Sequence, residues 1–194
     1  MTTTAPQQSL TRPARRRVLD IARALFYAEG IRAVGVDRII AEAGVAKATF
    51  YNHFPTKDEL VCAYLAEESR RQREAAGMLH TLEAPGAEKI LRLFDTLGEL
   101  ACGPGFRGCS FVNAAAEYPD AAHPVRAVIA EHRRWFRGLL EELLTGMGHP
   151  DTAATAAMLM LVRDGVVVGG DLDDAAAVRG VLRAAVTRLL AVPA

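Results

Sequence analysis

An all-helical (all-α) protein is predicted by three features of this sequence. Apolar residues return at helical spacing in one segment after another. No alternation of period two, the mark of a half-buried strand, persists anywhere. Alanine and leucine are abundant while aromatic residues make up only 6% of the chain, a composition that favours helix. At 194 residues, with 51% of them apolar, there is material for one large domain or two small ones sharing a core. No internal repeat is present.

Residues 1–11 are rich in Thr, Gln, Pro and Ser and predict a disordered tail. Arg12, Arg15, Arg16 and Arg17 follow with no acid among them, as a solvated helix start or as a basic arm on phosphates. Val18, Ile21, Ala22, Leu25 and Phe26 form the apolar stripe of a first helix that ends at Gly30. Val36, Ile39, Ile40 and Ala43 form a second, stopped by Gly44, because glycine takes the left-handed conformation common after a helix end. A third short helix stacks Phe50 and Phe54 on one face. Ala48, Thr49 and Asn52 lie opposite, flanked by Lys47, Tyr51 and His53. Pro55 breaks that helix, and Thr56 with Glu59 reads as a capping box for the next. That fourth helix buries Leu60, Tyr64 and Leu65 and is strongly charged through Arg73.

The body begins at Met78. Ile90, Leu93, Phe94, Leu97, Leu100 and Ala101 fit one helix, and the glycine-rich run from Cys102 to Cys109 interrupts it. Ser110 to Tyr118 is a short helix closed by Pro119. His123 and Pro124 open a long one through Val125, Val128, Ile129, His132, Leu139 and Leu143. After a loop over 146–150, residues 153–168 are apolar nearly all round, as in a helix buried on several sides. The last helix turns Val178, Val181, Leu182, Ala185, Val186 and Leu189 inward.

The formal charge is zero overall but unevenly spread. Residues 1–60 hold nine Lys and Arg against six Asp and Glu, and residues 61–194 hold fourteen against seventeen. A basic head on an acidic body fits a nucleic-acid reader joined to something that binds another partner. No stretch approaches the roughly 20 uninterrupted apolar residues of a membrane helix. The polar amino terminus lacks the apolar core of a secretory signal. Three cysteines without a dense framework suit reduced thiols, so a cytoplasmic protein is expected, with no membrane partner. No nucleophile–base motif, phosphate loop, cofactor signature or diagnostic metal spacing is present; no enzyme activity, cofactor or metal is expected.

Two short helices about a glycine turn, the second offering hydrogen-bonding groups outward, match either a DNA-reading helix-turn-helix or an ordinary helical hairpin. The order Ala22, Leu25, Phe26, Gly30, then Val36, Asp37, Ile39, Ala43, Gly44, Val45, decides between them. It continues with the run Lys47 to Phe54 and with Lys57, Asp58, Glu59 and Leu60. Over residues 15–62 this resembles the DNA-binding domain of the TetR family of transcriptional regulators. Arg107, Cys109, Phe111 and Asn113, with Glu117, His123 and Arg126, resemble the ligand domain of one TetR subgroup, marked by Arg-Gly-Cys-x-Phe. One departure concerns Val34 and Gly35, where the family usually carries hydroxyl residues. A hydroxyl cap is missing there, and Asp37 in the first turn partly compensates through the helix dipole.

The division expected is therefore a tail over 1–11, a three-helix helix-turn-helix domain over 12–60, and a helical ligand-binding and dimerisation domain over 61–194. The resemblance implies a homodimer that places two recognition helices in successive major grooves of a pseudo-palindromic double-stranded operator. It also implies a small-molecule effector that releases the DNA, and thus a repressor. Within the head, Phe50 and Phe54 anchor the recognition helix. Ala48 lets the backbone approach the groove, and Thr49 offers a hydroxyl and a methyl to base edges. Lys47, Tyr51, His53 and Lys57 suit phosphates, and Asn52 suits either a base or a phosphate. The expected effector contacts are Phe94, Phe111, Asn113, Glu117, His132, Trp135 and Arg163. The expected dimer seam is Leu161, Val162, Val166, Leu182, Val186 and Leu189. Two alternatives stay open: a thiol-redox regulator using Cys102 or Cys109, and a DNA-binding dimer without a small ligand.

Overall fold

The computed structural model describes residues 13–191; the predicted tail and Arg12 lie outside the described residues. Within that range the fold is all-helical, with no strand. The helices are α1 (Ala14–Glu29), α2 (Val36–Ala43), α3 (Lys47–His53), α4 (Lys57–Gly77) and α5 (Gly86–Ala101). They continue with α6 (Ser110–Glu117), α7 (Pro124–Gly146), α8 (Thr152–Leu172) and α9 (Ala175–Leu190). A single 3-10 turn over Met78–Thr81 follows α4.

The helices group into two compact units. Residues 13–69 form the first together with Ser110–Ile129, and Arg70–Cys109 form the second together with residues 130–191. These units differ from the contiguous division expected after residue 60. The start of α4, all of α6 and the start of α7 group with the head. Glu67 and Glu68 pair with Arg16 and Arg23 of α1, Glu117 accepts N–H groups from the turn after α1, and Tyr118 donates to Asp58 of α4.

In the first unit, Val18, Leu19, Ala22, Leu25 and Phe26 of α1 are buried. Leu19 takes the inward place expected of Ile21, which is half-buried. Gly44 carries φ +61, the left-handed value the turn between α2 and α3 requires, and its N–H closes on Ala41 and Ile40. Phe50 and Phe54 are 0% and 2% exposed, so α3 is anchored as its spacing predicts. The Thr56 hydroxyl accepts the Glu59 N–H at 3.1 Å, capping α4. Leu60, Val61, Tyr64 and Leu65 then complete the core, with Tyr64 edge-on to Phe26 at 5.7 Å.

The second unit packs α5, α8 and α9 together. Asp151 and Asp174 cap α8 and α9 by accepting the N–H groups of Ala154 and Ala177. Gly170 brings α8 against the end of α5, where an added Cβ would lie 2.4 Å from the Ala101 carbonyl oxygen. By length and composition α8 could cross a membrane, a test that the central helix of a packed core also passes. Its burial is one-sided rather than all round. Thr155, Ala156, Leu159, Met160, Arg163, Val166 and Val167 are inward. Met158, Leu161, Val168 and Leu172 stand exposed.

Candidate nucleic-acid interface

Helix α3 divides its residues by face. Phe50 and Phe54 point inward with ring centroids 6.0 Å apart, while Lys47, Ala48, Tyr51, Asn52 and His53 are exposed and Thr49 is half-buried. The Tyr51 ring meets Phe50 edge-on at 5.2 Å, which fixes the ring and leaves its hydroxyl free to reach outward. The structure thus brings six of the seven predicted DNA-facing residues onto one short helix. The seventh, Lys57, is placed otherwise. Its ammonium lies 6.0 Å from the Phe26 ring centroid, and burial lowers its pKa against the opposing pull of Glu117 and Asp58.

The arginines in the first turn of α1 are largely committed within the fold. Arg16 pairs with Glu67 at 2.7 Å and Asp20 at 3.0 Å. Arg17 donates to the carbonyls of Ala43 and Gly44, so it closes the carboxy-terminal end of α2, where orphan carbonyls favour a cation. Arg15 lies over the Phe54 ring at 5.3 Å. Lys47 reaches Asp37 at 3.2 Å across the turn, an exposed pair of small energetic weight that a phosphate could replace. No side chain caps α2 at Gly35, as the sequence leads one to expect.

The other predicted sites divide between the units. Phe111, Asn113 and Glu117 belong to the first, and Phe94, His132, Trp135 and Arg163 to the second. Glu117, expected at the effector, is engaged within the head: its carboxylate accepts the backbone N–H of Ile31 at 2.8 Å and of Arg32 at 2.6 Å. Nothing in the sequence pairs residues so far apart. Beside it, the Tyr118 hydroxyl donates to Asp58 at 2.8 Å, and His123 Nε2 lies 3.3 Å from the same carboxylate. Burial and that acceptor raise the Tyr118 pKa.

In the second unit, Arg163 is 3% exposed and lies over the Phe136 ring at 5.1 Å. It donates to Asp164 at 2.9 Å, and Arg133 binds the same carboxylate with two donors at 2.9 and 2.7 Å. Burial alone would raise the Asp164 pKa, but these arginines hold it below the usual range. His132 is fully buried, 5.3 Å from Trp135. Burial, then Arg163, Arg73 and Arg133, push its pKa down to about 3, so the imidazole is neutral.

The predicted dimer seam is also redistributed. Val166, Leu182 and Val186, expected in a seam between chains, are at most 5% exposed within their own chain. Val162 and Leu189 are half-buried. Leu161 is 71% exposed, in a stripe with Ala154, Met158, Gly165, Val168 and Leu172 that sequence reading overlooked. These positions alternate by four and three, but so do the buried Ala156, Met160, Arg163 and Val167, so spacing does not distinguish the two faces.

Comparison with known proteins agrees with this geometry. Residues 18–64 match the model of bacterial regulatory proteins of the tetR family. A crystal structure of a TetR-family transcriptional regulator from Streptomyces coelicolor is 40% identical, covers 91% of this chain and 94% of its own, and superposes with a TM-score of 0.85. The HTH-type transcriptional regulator LmrA of Bacillus subtilis is 25% identical over 82% of this chain and 85% of its own. At the level of the fold alone, Bacillus subtilis FadR in complex with stearoyl-CoA is similar, at 18% identity and TM-score 0.72 over 92% of this chain and 99% of that one. With its buried α3 anchors, outward polar row and this extent of likeness, the chain belongs to the TetR family of transcriptional regulators, which are not enzymes.

Proposed function

We propose that this regulator is a cytoplasmic repressor that binds a pseudo-palindromic operator as a homodimer and is released by a small-molecule effector. The observation that carries the DNA reading is α3, whose exposed Lys47, Ala48, Tyr51, Asn52 and His53 stand on the buried Phe50 and Phe54. Thr49 reads a base edge, and Lys47, Tyr51 and His53 bind phosphates. Asn52 serves either role, and Lys57 would have to leave Phe26 to reach DNA. The exposed α8 stripe supports a dimer seam, to which Val181 of α9, 69% exposed, adds a neighbouring apolar surface.

The effector reading draws on the complex of FadR with stearoyl-CoA and on the subgroup resemblance around Arg107 and Cys109. Its contacts are drawn from Phe94, His132, Trp135 and Arg163 of the second unit; Phe111 and Asn113 stay secondary. A mobility shift on the DNA upstream of its own gene tests the whole. A specific complex is expected there, and its absence at that and neighbouring promoters counts against a local repressor. Thr49→Ala is expected to relax preference at one or two base pairs while binding to random duplex is unchanged. Equal loss on both duplexes would remove Thr49 from base reading.

A second reading, thiol-responsive release, is favoured by one contact. Arg163 Nη2 donates to the buried Cys109 sulfur at 3.7 Å, a cationic contact that oxidation of the sulfur would disturb. Oxidant-driven release that is lost in Cys109→Ser, with small-molecule release intact, would support it over the first.

A further inference from the structure

We infer that Glu117 is a positioning residue for DNA binding, one that holds the α1–α2 corner in the arrangement that presents α3. The inference rests on the DNA-binding reading above and gives Glu117 a task different from effector contact. Both carboxylate oxygens are committed, Oε1 to the N–H of Ile31 and Oε2 to that of Arg32, at 2.8 and 2.6 Å. Two successive backbone donors on one carboxylate form a charge-assisted, bidentate anchor. The corner it grips is itself packed, with Ile31 3% and Val34 0% exposed.

The segment after α6 grips a second point. Tyr118 and His123 converge on Asp58 in the first turn of α4, their rings 4.6 Å apart. In sequence the two grips bracket α2 and α3: one precedes α2, and the other follows α3. The pair therefore fixes the two ends from which the reading helix is suspended. The void beneath Glu117, bounded by Phe26, Ile31, Tyr64 and Ala114, has a volume of about 10 Å³. That is room for at most one water and none for an effector. Glu117 lies outside the span of the family's DNA-binding domain, residues 18–64, yet completes it.

An acidic side chain does not bind phosphate, so its removal should cost affinity through geometry alone. The slope of log affinity against log salt, which counts phosphate contacts, should then stay constant. The test uses the full chain, a duplex that the wild-type protein selects from a random-sequence pool, and a scrambled duplex. Glu117→Ala should bind the selected duplex at least roughly tenfold more weakly, the effect of losing hydrogen bonds to a charged group. Binding to the scrambled duplex and the salt slope should be unchanged. Glu117→Gln, which keeps one strong acceptor, should fall between, and amide exchange at Ile31 and Arg32 should quicken in both.

Lys47→Ala is the contrast: it should weaken both duplexes and reduce the slope by about one. Should Glu117→Ala fail to fold, Glu117→Gln decides by the same readings. Wild-type affinity for the selected duplex in a folded variant, or a changed salt slope, overturns the inference. A wild-type protein that selects no sequence overturns the DNA-regulator reading, and this inference with it.

Discussion

Single residues in this protein are governed by what burial does to charge. His132 shows it most directly. It sits on the apolar line of α7, where the unfolded chain would protonate it near pH 6.5 and the native chain holds it neutral down to about 3. Its contribution is therefore complete above pH 6.5 and is lost as the pH falls toward 3. The loss should reach up to about 1.4 kcal/mol for each pH unit. Urea midpoints measured between pH 7 and 4.5 should show that decline, and His132→Gln should flatten it. The head shows the complementary case. Arg16 and Arg17 looked available for phosphates in a run without acids, yet one pairs with Glu67 and the other closes α2. A charge run is visible in a sequence; apart from Asp20, one turn on, the partners that occupy these charges are 26 and 51 residues away.

At the level of elements, spacing and caps account for most of what forms. The stripes of α1, α2 and α7, the glycine stop at 44 and the Thr56 cap were all legible, because each depends on neighbours a few residues apart. The missing cap of α2 was legible too. Gly35 has φ −77 and ψ 148, a conformation any residue adopts, and an added Cβ would meet nothing within 4 Å. Gly35→Ser should therefore gain a few tenths of a kcal/mol by capping α2. A thermal midpoint higher by a degree or two would register it, with DNA binding retained. No rise would mean that the new hydroxyl leaves the α2 amides to water.

The largest scale is where the two faces of α8 part company. Periodicity alone marks this helix as apolar all round, and the packing of α5 and α9 against it decides which half is core. Leu161, 71% exposed, touches little of its own chain, whereas Val186 is fully buried. On the homodimer reading, Leu161→Asp should yield a folded monomer by sedimentation velocity, with operator affinity lost together with the paired half-sites. Val186→Asp should instead destabilise the chain itself by several kcal/mol, seen as a lowered unfolding midpoint. If Leu161→Asp leaves the dimer intact, the exposed stripe of α8 is not the seam.

The sequence by itself determined the helical class, the helix-turn-helix, the anchors Phe50 and Phe54 and the outward row on α3. Those features rest on periodicity and on contacts within one or two turns, and such information is written locally. Only the tertiary structure decided that Glu117 belongs to the head. It also decided that Lys57 turns toward Phe26, and that Val166, Leu182 and Val186 serve the chain's own core. Each of these depends on which of two polar or apolar partners a side chain meets across tens of residues. Spacing along a single helix carries no information about that choice.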